Sequence, residues 1–215
     1  MKGIRIVILF SALSLAGSTV PFGASPAATH AQVASQELFK ALLVTPITDS
    51  ELPSGFTSAI LSKSKVDADD GAYGAIGKID LGISGPDPLD GGGYVIFTDA
   101  AGAQADFMAA PALAGADPSL SISMPATYGI PTLLVTLINP FSQRTSAVCA
   151  MRVDTVIVVG LAGSDANPAG QISDTSPCIL TVALVNHLQN VLDTLEGLPP
   201  PPPESRPLPS LAPVK

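Results

Sequence analysis

The sequence predicts an α+β fold: an antiparallel sheet of about five strands, helices packed on it, and one disulfide. Three observations carry that expectation. Ile79, Leu81 and Ile83 alternate with Asp80, Gly82 and Ser84, the period of two that gives a strand one buried face. Ser146 to Arg152 and Thr155 to Leu161 read as two strands separated only by Val153 and Asp154, so they should pair as a hairpin. Leu180, Leu184, Leu188, Val191 and Leu195 recur at helical spacing and form one apolar stripe.

The remaining elements follow in chain order. Gln36 to Leu43 has helical character and should stop before Thr45-Pro46, because a residue preceding proline avoids the α region. Glu51 to Phe56 forms a turn that tucks Phe56 into the core, and residues 57–74, small and polar, read as irregular. A strand starts near Ile76. Gly85 to Gly93 is a connecting loop, and Tyr94 to Phe97 returns as the partner strand. Asp99 caps a helix from Ala100 to Ala110 with Ala103, Phe107 and Ala110 on one face, and Pro111 ends it. An irregular stretch reaches about residue 130, and Thr132 to Ile138 is a further strand. The unbroken apolar run Val156 to Val159 suits a central strand covered on both faces. Ser176-Pro177 opens the last helix, and Gly197 supplies the residue that ends it.

At the N-terminus, Lys2 and Arg5 precede an apolar run from Ile6 to Ala16 and then small residues, the order of a secretory signal peptide. The run is shorter than the ~20 residues a membrane span requires. Cleavage is expected after Ala31, with Ala27 as the second position. The expected organisation is therefore a signal peptide (1–31), a single extracytoplasmic domain (32–197) and a proline-rich tail (198–215). The tail begins at Pro199-Pro200-Pro201-Pro202-Pro203 and should be extended polyproline II. Arg206-Pro207-Leu208-Pro209 within it looks like an SH3 ligand, but a stiff spacer is the simpler reading.

Both cysteines, Cys149 and Cys178, lie in the exported part. An even count in an oxidising compartment reads as one disulfide. With the signal removed, 8 basic residues face 18 acidic ones, a net charge of −10. That balance argues against nucleic-acid or anionic-membrane partners, which require a Lys/Arg footprint.

No motif nominates a catalytic, metal or cofactor site. His187 sits at the edge of the apolar stripe, where a partly buried structural role is the simplest reading. A hydrolase using it would need a serine that no Gly-x-Ser-x-Gly elbow marks, since Gly82-Ile83-Ser84-Gly85 runs into Pro86. Ser62-Lys63-Ser64-Lys65 matches Ser-x-x-Lys but lacks its companion elements. Asp67-Ala68-Asp69-Asp70-Gly71 starts like a calcium loop and then breaks, with Gly71 at the fifth position and Lys78 at the twelfth. Gly71, Gly74 and Gly77 are spaced by threes and precede a strand, unlike a dinucleotide-binding fingerprint.

Cys149-Ala150-Met151-Arg152-Val153-Asp154-Thr155-Val156-Ile157-Val158-Val159, followed by Cys178 and a helix, resembles the closing part of the PknH-like extracellular sensor domain of bacterial receptor kinases. The resemblance spans residues 144–192. The chain departs from that family in having no kinase domain, no membrane span after the signal peptide and no second cysteine pair. What the resemblance implies is an extracytoplasmic α+β sandwich that binds something, with no functional residue carried over. The sequence thus predicts a secreted or cell-envelope, non-enzymatic binding or interaction domain without a cofactor or metal. Its expected partner is a small apolar ligand or an envelope component. The alternative is a hydrolase with an unmarked Ser/Asp/Glu site using His187.

Overall fold

The computed structural model describes residues 35–58, 61–85, 91–114, 120–138, 145–164 and 176–198. The expected signal peptide and, beyond Leu198, the expected proline-rich tail lie outside the described residues. The chain runs through helix α1 (Ser35–Val44), strand β1 (Leu61–Ser64), helix α2 (Ala68–Ala72), strands β2 (Ala75–Leu81) and β3 (Gly91–Phe97) and helix α3 (Ala100–Ala114). It continues through strands β4 (Leu120–Ser123), β5 (Thr132–Ile138), β6 (Thr145–Val153) and β7 (Val156–Ser164) to helix α4 (Ser176–Leu195). The seven strands form one sheet in the order β1-β2-β3-β7-β6-β5-β4, with every neighbouring pair antiparallel.

The architecture is the expected α+β sheet with helices packed on it, but with seven strands in place of about five. The two additional strands are the edges. β1 and β4 are four residues each, pair on one side only, and are half serine, with Leu61 the one apolar residue of β1 and Leu120 and Ile122 those of β4. Residues 57–74, expected to be irregular, contain β1 and the single helical turn α2.

The sheet is covered on both faces, and the central strands show how. Tyr94 and Ile96 of β3, with Val156 and Val158 of β7, pack under α4 and α1. Val95 and Phe97 of β3 and Ile157 of β7 face the opposite way, against Ala103, Phe107 and Ala110 of α3. This is the two-sided burial expected of an unbroken apolar strand.

Gly91 to Gly93, expected in the loop, are strand residues of β3. At Gly92 and Gly93 a side chain would collide with its neighbours: a Cβ on Gly92 would lie 2.6 Å from a Leu184 methyl and 2.8 Å from the Val159 carbonyl. Glycine at this point lets α4 sit close to the sheet. Asp99 accepts a hydrogen bond from the Gly102 N–H at 2.8 Å, the cap expected of it. α3 nevertheless continues one turn past Pro111 to Ala114. A proline forfeits only its own N–H donor and crowds one carbonyl, and near a helix end that cost does not stop the last turn. The β6–β7 hairpin turns at Asp154, whose φ of 48° is the left-handed conformation that aspartate tolerates in a tight turn.

α4 is anchored at its start. Cys178 in its first turn is bonded to Cys149 of β6, and both residues are completely buried. The Thr181 hydroxyl sits 2.8 Å from the Pro177 carbonyl and 3.0 Å from the Cys149 carbonyl. Gly160, the cross-strand partner of Cys149, lies beneath this turn, with room for no side chain. Further along, Leu180, Leu184, Leu188 and Val191 are buried as the stripe requires, while Leu195 is exposed at the end. At Gly197, φ is 71° and the Leu198 N–H reaches back to the Asp193 carbonyl at 2.8 Å, closing the helix as expected. The segment Pro177–Leu195 is long and apolar enough to cross a membrane. Its apolar stripe is, however, buried against the sheet as the core helix of the domain.

Candidate functional site

The end of α1, the segment that follows it and the second half of α4 enclose a cleft of about 380 Å³. The helical stripe explains why it exists. Leu38 and Leu42 of α1 and Leu188 and Val191 of α4 meet in one core cluster, and Val191 and Ala41, which packs against that cluster, line the cleft. Ala41, Pro46, Val191 and Leu195 give the cleft apolar walls, while Thr48, Asn190 and Thr194 add neutral polar groups. Leu195, one of its wall residues, is an exposed large apolar side chain.

His187 and Glu51 form its floor. His187 is only 4% exposed; its Nδ1 lies 2.9 Å from Glu51 Oε1 and its Nε2 lies 3.0 Å from the Thr45 carbonyl oxygen. Glu51 stands at the end of a short 3-10 turn, and its second oxygen accepts from the Thr48 N–H at 2.9 Å and the Thr48 hydroxyl at 2.8 Å. Burial pushes the Glu51 carboxyl up, but the hydrogen bonds from His187 and Thr48 outweigh it and hold the group below the usual glutamate range. Tyr94 lies against the same histidine from β3. Its hydroxyl donates to the Leu184 carbonyl at 3.2 Å, and burial, reinforced by the Glu51 charge, holds it protonated far above its ordinary range.

A nucleophile relay needs one imidazole nitrogen on a carboxylate and the other on a hydroxyl. The carboxylate is present, but the second nitrogen is occupied by a backbone carbonyl. His187 ties the 45–51 segment to α4.

The other sequence candidates disperse. Ser84 is bridged to Thr57 through its backbone. Ser62-Lys63-Ser64 lies along edge strand β1, not on a helix, the element whose turn brings positions three apart together. Asp67 pairs with Lys78 at 2.9 Å, while Asp70 turns inward from α2. No group of three or more His, Cys, Asp or Glu side chains among the described residues could hold a metal ion. Arg206 and its prolines lie outside the described residues.

A second polar feature lies on the opposite face. Asp106 of α3 is 4% exposed, and its Oδ1 has no hydrogen-bond partner among the described residues. Burial, and then the charges of Asp70 and Asp69, push its carboxyl up to about 7. Asp70 is likewise raised by burial.

Comparison with known proteins gives a fold. The chain is similar to the crystal structure of the extracellular domain of PknH from Mycobacterium tuberculosis, with a TM-score of 0.51 over 74% of this chain and 98% of that one, at 14% sequence identity. The two share a fold. The likeness reaches well beyond residues 144–192, the stretch on which the sequence resemblance rests. No protein-family model and no curated protein matches the chain. The buried Cys149–Cys178 disulfide is the kind of crosslink that persists in oxidising, extracytoplasmic compartments.

Proposed function

We propose that this chain is a secreted or envelope-associated binding domain, without catalytic activity of its own, that holds a small, neutral and largely apolar ligand between α1 and α4. The cleft carries this reading. At about 380 Å³ it falls within the range of small-molecule sites, roughly 300–1,000 Å³, and its walls are apolar with a few neutral hydrogen-bonding groups. Its one carboxylate, Glu51, is already engaged by His187 and Thr48, so nothing in the floor calls for a charged ligand. The shared fold with an extracellular domain supports the location and the class of role.

The test is native mass spectrometry of protein purified from its secreting host, before and after denaturation. A retained mass that leaves on unfolding, and that is lost when Ala41→Trp fills the cleft, is the expected result. A clean protein mass in every preparation, together with turnover of ester or amide substrates that His187→Gln abolishes, would favour the hydrolase reading in its place.

A further inference from the structure

We propose that the cleft is gated by a proton carried on His187: the doubly protonated imidazole clamps the 45–51 wall onto α4, and its loss releases that wall. This regulation rests on the binding reading above, because it concerns the same cleft, but its geometry stands without any ligand.

The inference comes from counting donors and acceptors. His187 Nδ1 faces the Glu51 carboxylate at 2.9 Å and Nε2 faces the Thr45 carbonyl at 3.0 Å. A carbonyl oxygen never donates, and an ionised carboxylate accepts only. Both contacts are hydrogen bonds only when both ring nitrogens carry a proton. A neutral ring turns one bare nitrogen lone pair toward an oxygen, in a site where the histidine is 4% exposed and little water can intervene.

The two acceptors sit at the ends of one segment, which joins α1 to the 3-10 turn and forms one wall of the cleft. Ile47 in its middle is buried, so the segment is pinned at three points. Losing the proton removes one of the two polar pins. The groups facing the ring are few. The elements around it contribute Leu42 from α1, Leu61 from β1, Leu81 from β2 and Tyr94 from β3, with Glu51 from the segment itself. Glu51 and Tyr94 are the titratable groups among them, and Tyr94 stays protonated. The clamp is therefore a two-group device. It holds while both ring nitrogens carry a proton and Glu51 is ionised, and it is lost when the ring gives up a proton or Glu51 takes one. An envelope or secreted protein meets such pH changes directly.

Imidazole nitrogen chemical shifts of the full chain, with His187 distinguished from His30 by the His187→Gln variant, read the protonation state. Amide exchange of residues 45–51, expressed as protection factors, reads the wall. The expected result is two protonated ring nitrogens wherever the 45–51 segment is protected. As the ring titrates, protection across 45–51 should fall by about tenfold or more while the β6–β7 hairpin is unchanged. In Glu51→Gln both the ring titration and the fall in protection should move together to lower pH. A neutral ring beside a fully protected segment, or a loss of protection that ignores the shift in Glu51→Gln, would overturn the gate. Both readouts are taken on the ligand-free chain, so failure of the gate and failure of the binding reading are read by separate experiments.

Discussion

The two faces of the sheet are built on different principles. The α4 face is packed with large side chains, is locked by the Cys149–Cys178 bond, and gives each of three buried polar groups a partner: Thr181, Tyr94 and His187. The α3 face rests on a small-faced helix of alanine and phenylalanine and leaves the Asp106 carboxyl buried, one oxygen without a partner among the described residues. Buried polar groups with partners cost little and fix geometry, whereas one without a partner costs stability and makes it depend on pH. The lesson is that one face supplies rigidity for a cleft at its end, while the other is the softer side of the domain.

The contrast can be broken most strongly at the disulfide. Replacing Cys149 and Cys178 by alanine removes a crosslink separated by 29 residues. It should cost about 3.5 kcal/mol in denaturant unfolding, with the cleft segment and α4 losing amide protection before the α3 face does. Next is Gly160→Ala. The new methyl would be driven into the Thr181 hydroxyl and the Pro177 carbonyl, so a loss of about 2–3 kcal/mol is expected from the shift in melting midpoint.

On the α3 face the sign reverses. The folded-state pKa of Asp106 lies above its unfolded value, so the folded protein holds the extra proton. Its favourable contribution is complete below about pH 4 and disappears as pH rises to about 7 and beyond. Asp106→Asn should therefore stabilise the protein at pH 8, by about 1–2 kcal/mol, and flatten the decline of stability between pH 4 and 8. A variant less stable at pH 8 than the parent would refute the unpaired-carboxylate description. The smallest effect is Thr181→Val, which removes one well-partnered hydroxyl and should cost about 1 kcal/mol at every pH tested.

Sequence patterning revealed the interior better than the margins. The stripe from Leu180 to Val191 and the apolar run of β7 report burial directly, because a deeply buried element has to be apolar along its contact surface. Edge strands β1 and β4 bury at most one face, so Leu61 and Leu120 leave only a short, serine-rich trace. Gly92 and Gly93 misled for the opposite reason: α4 and β2 approach them too closely for a side chain, and glycine in sequence signals a turn more often than a close approach. His187 was legible as a partly buried histidine, but its partners were not, since Glu51 lies 136 residues away. The Thr48-x-x-Glu51 spacing, the pattern of a capping box, was the local signal that could have drawn attention to that carboxylate.

The central claim is that ligand binds at the α1–α4 end of the rigid face. Amide chemical shifts of the isotope-labelled chain, titrated with a chloroform–methanol extract of the host envelope, test it most directly. The account predicts saturable shifts confined to residues 41–51 and 187–198, absent when Ala41→Trp fills the cleft. Shifts that cluster on α3 and β4, or that persist unchanged in Ala41→Trp, would contradict it.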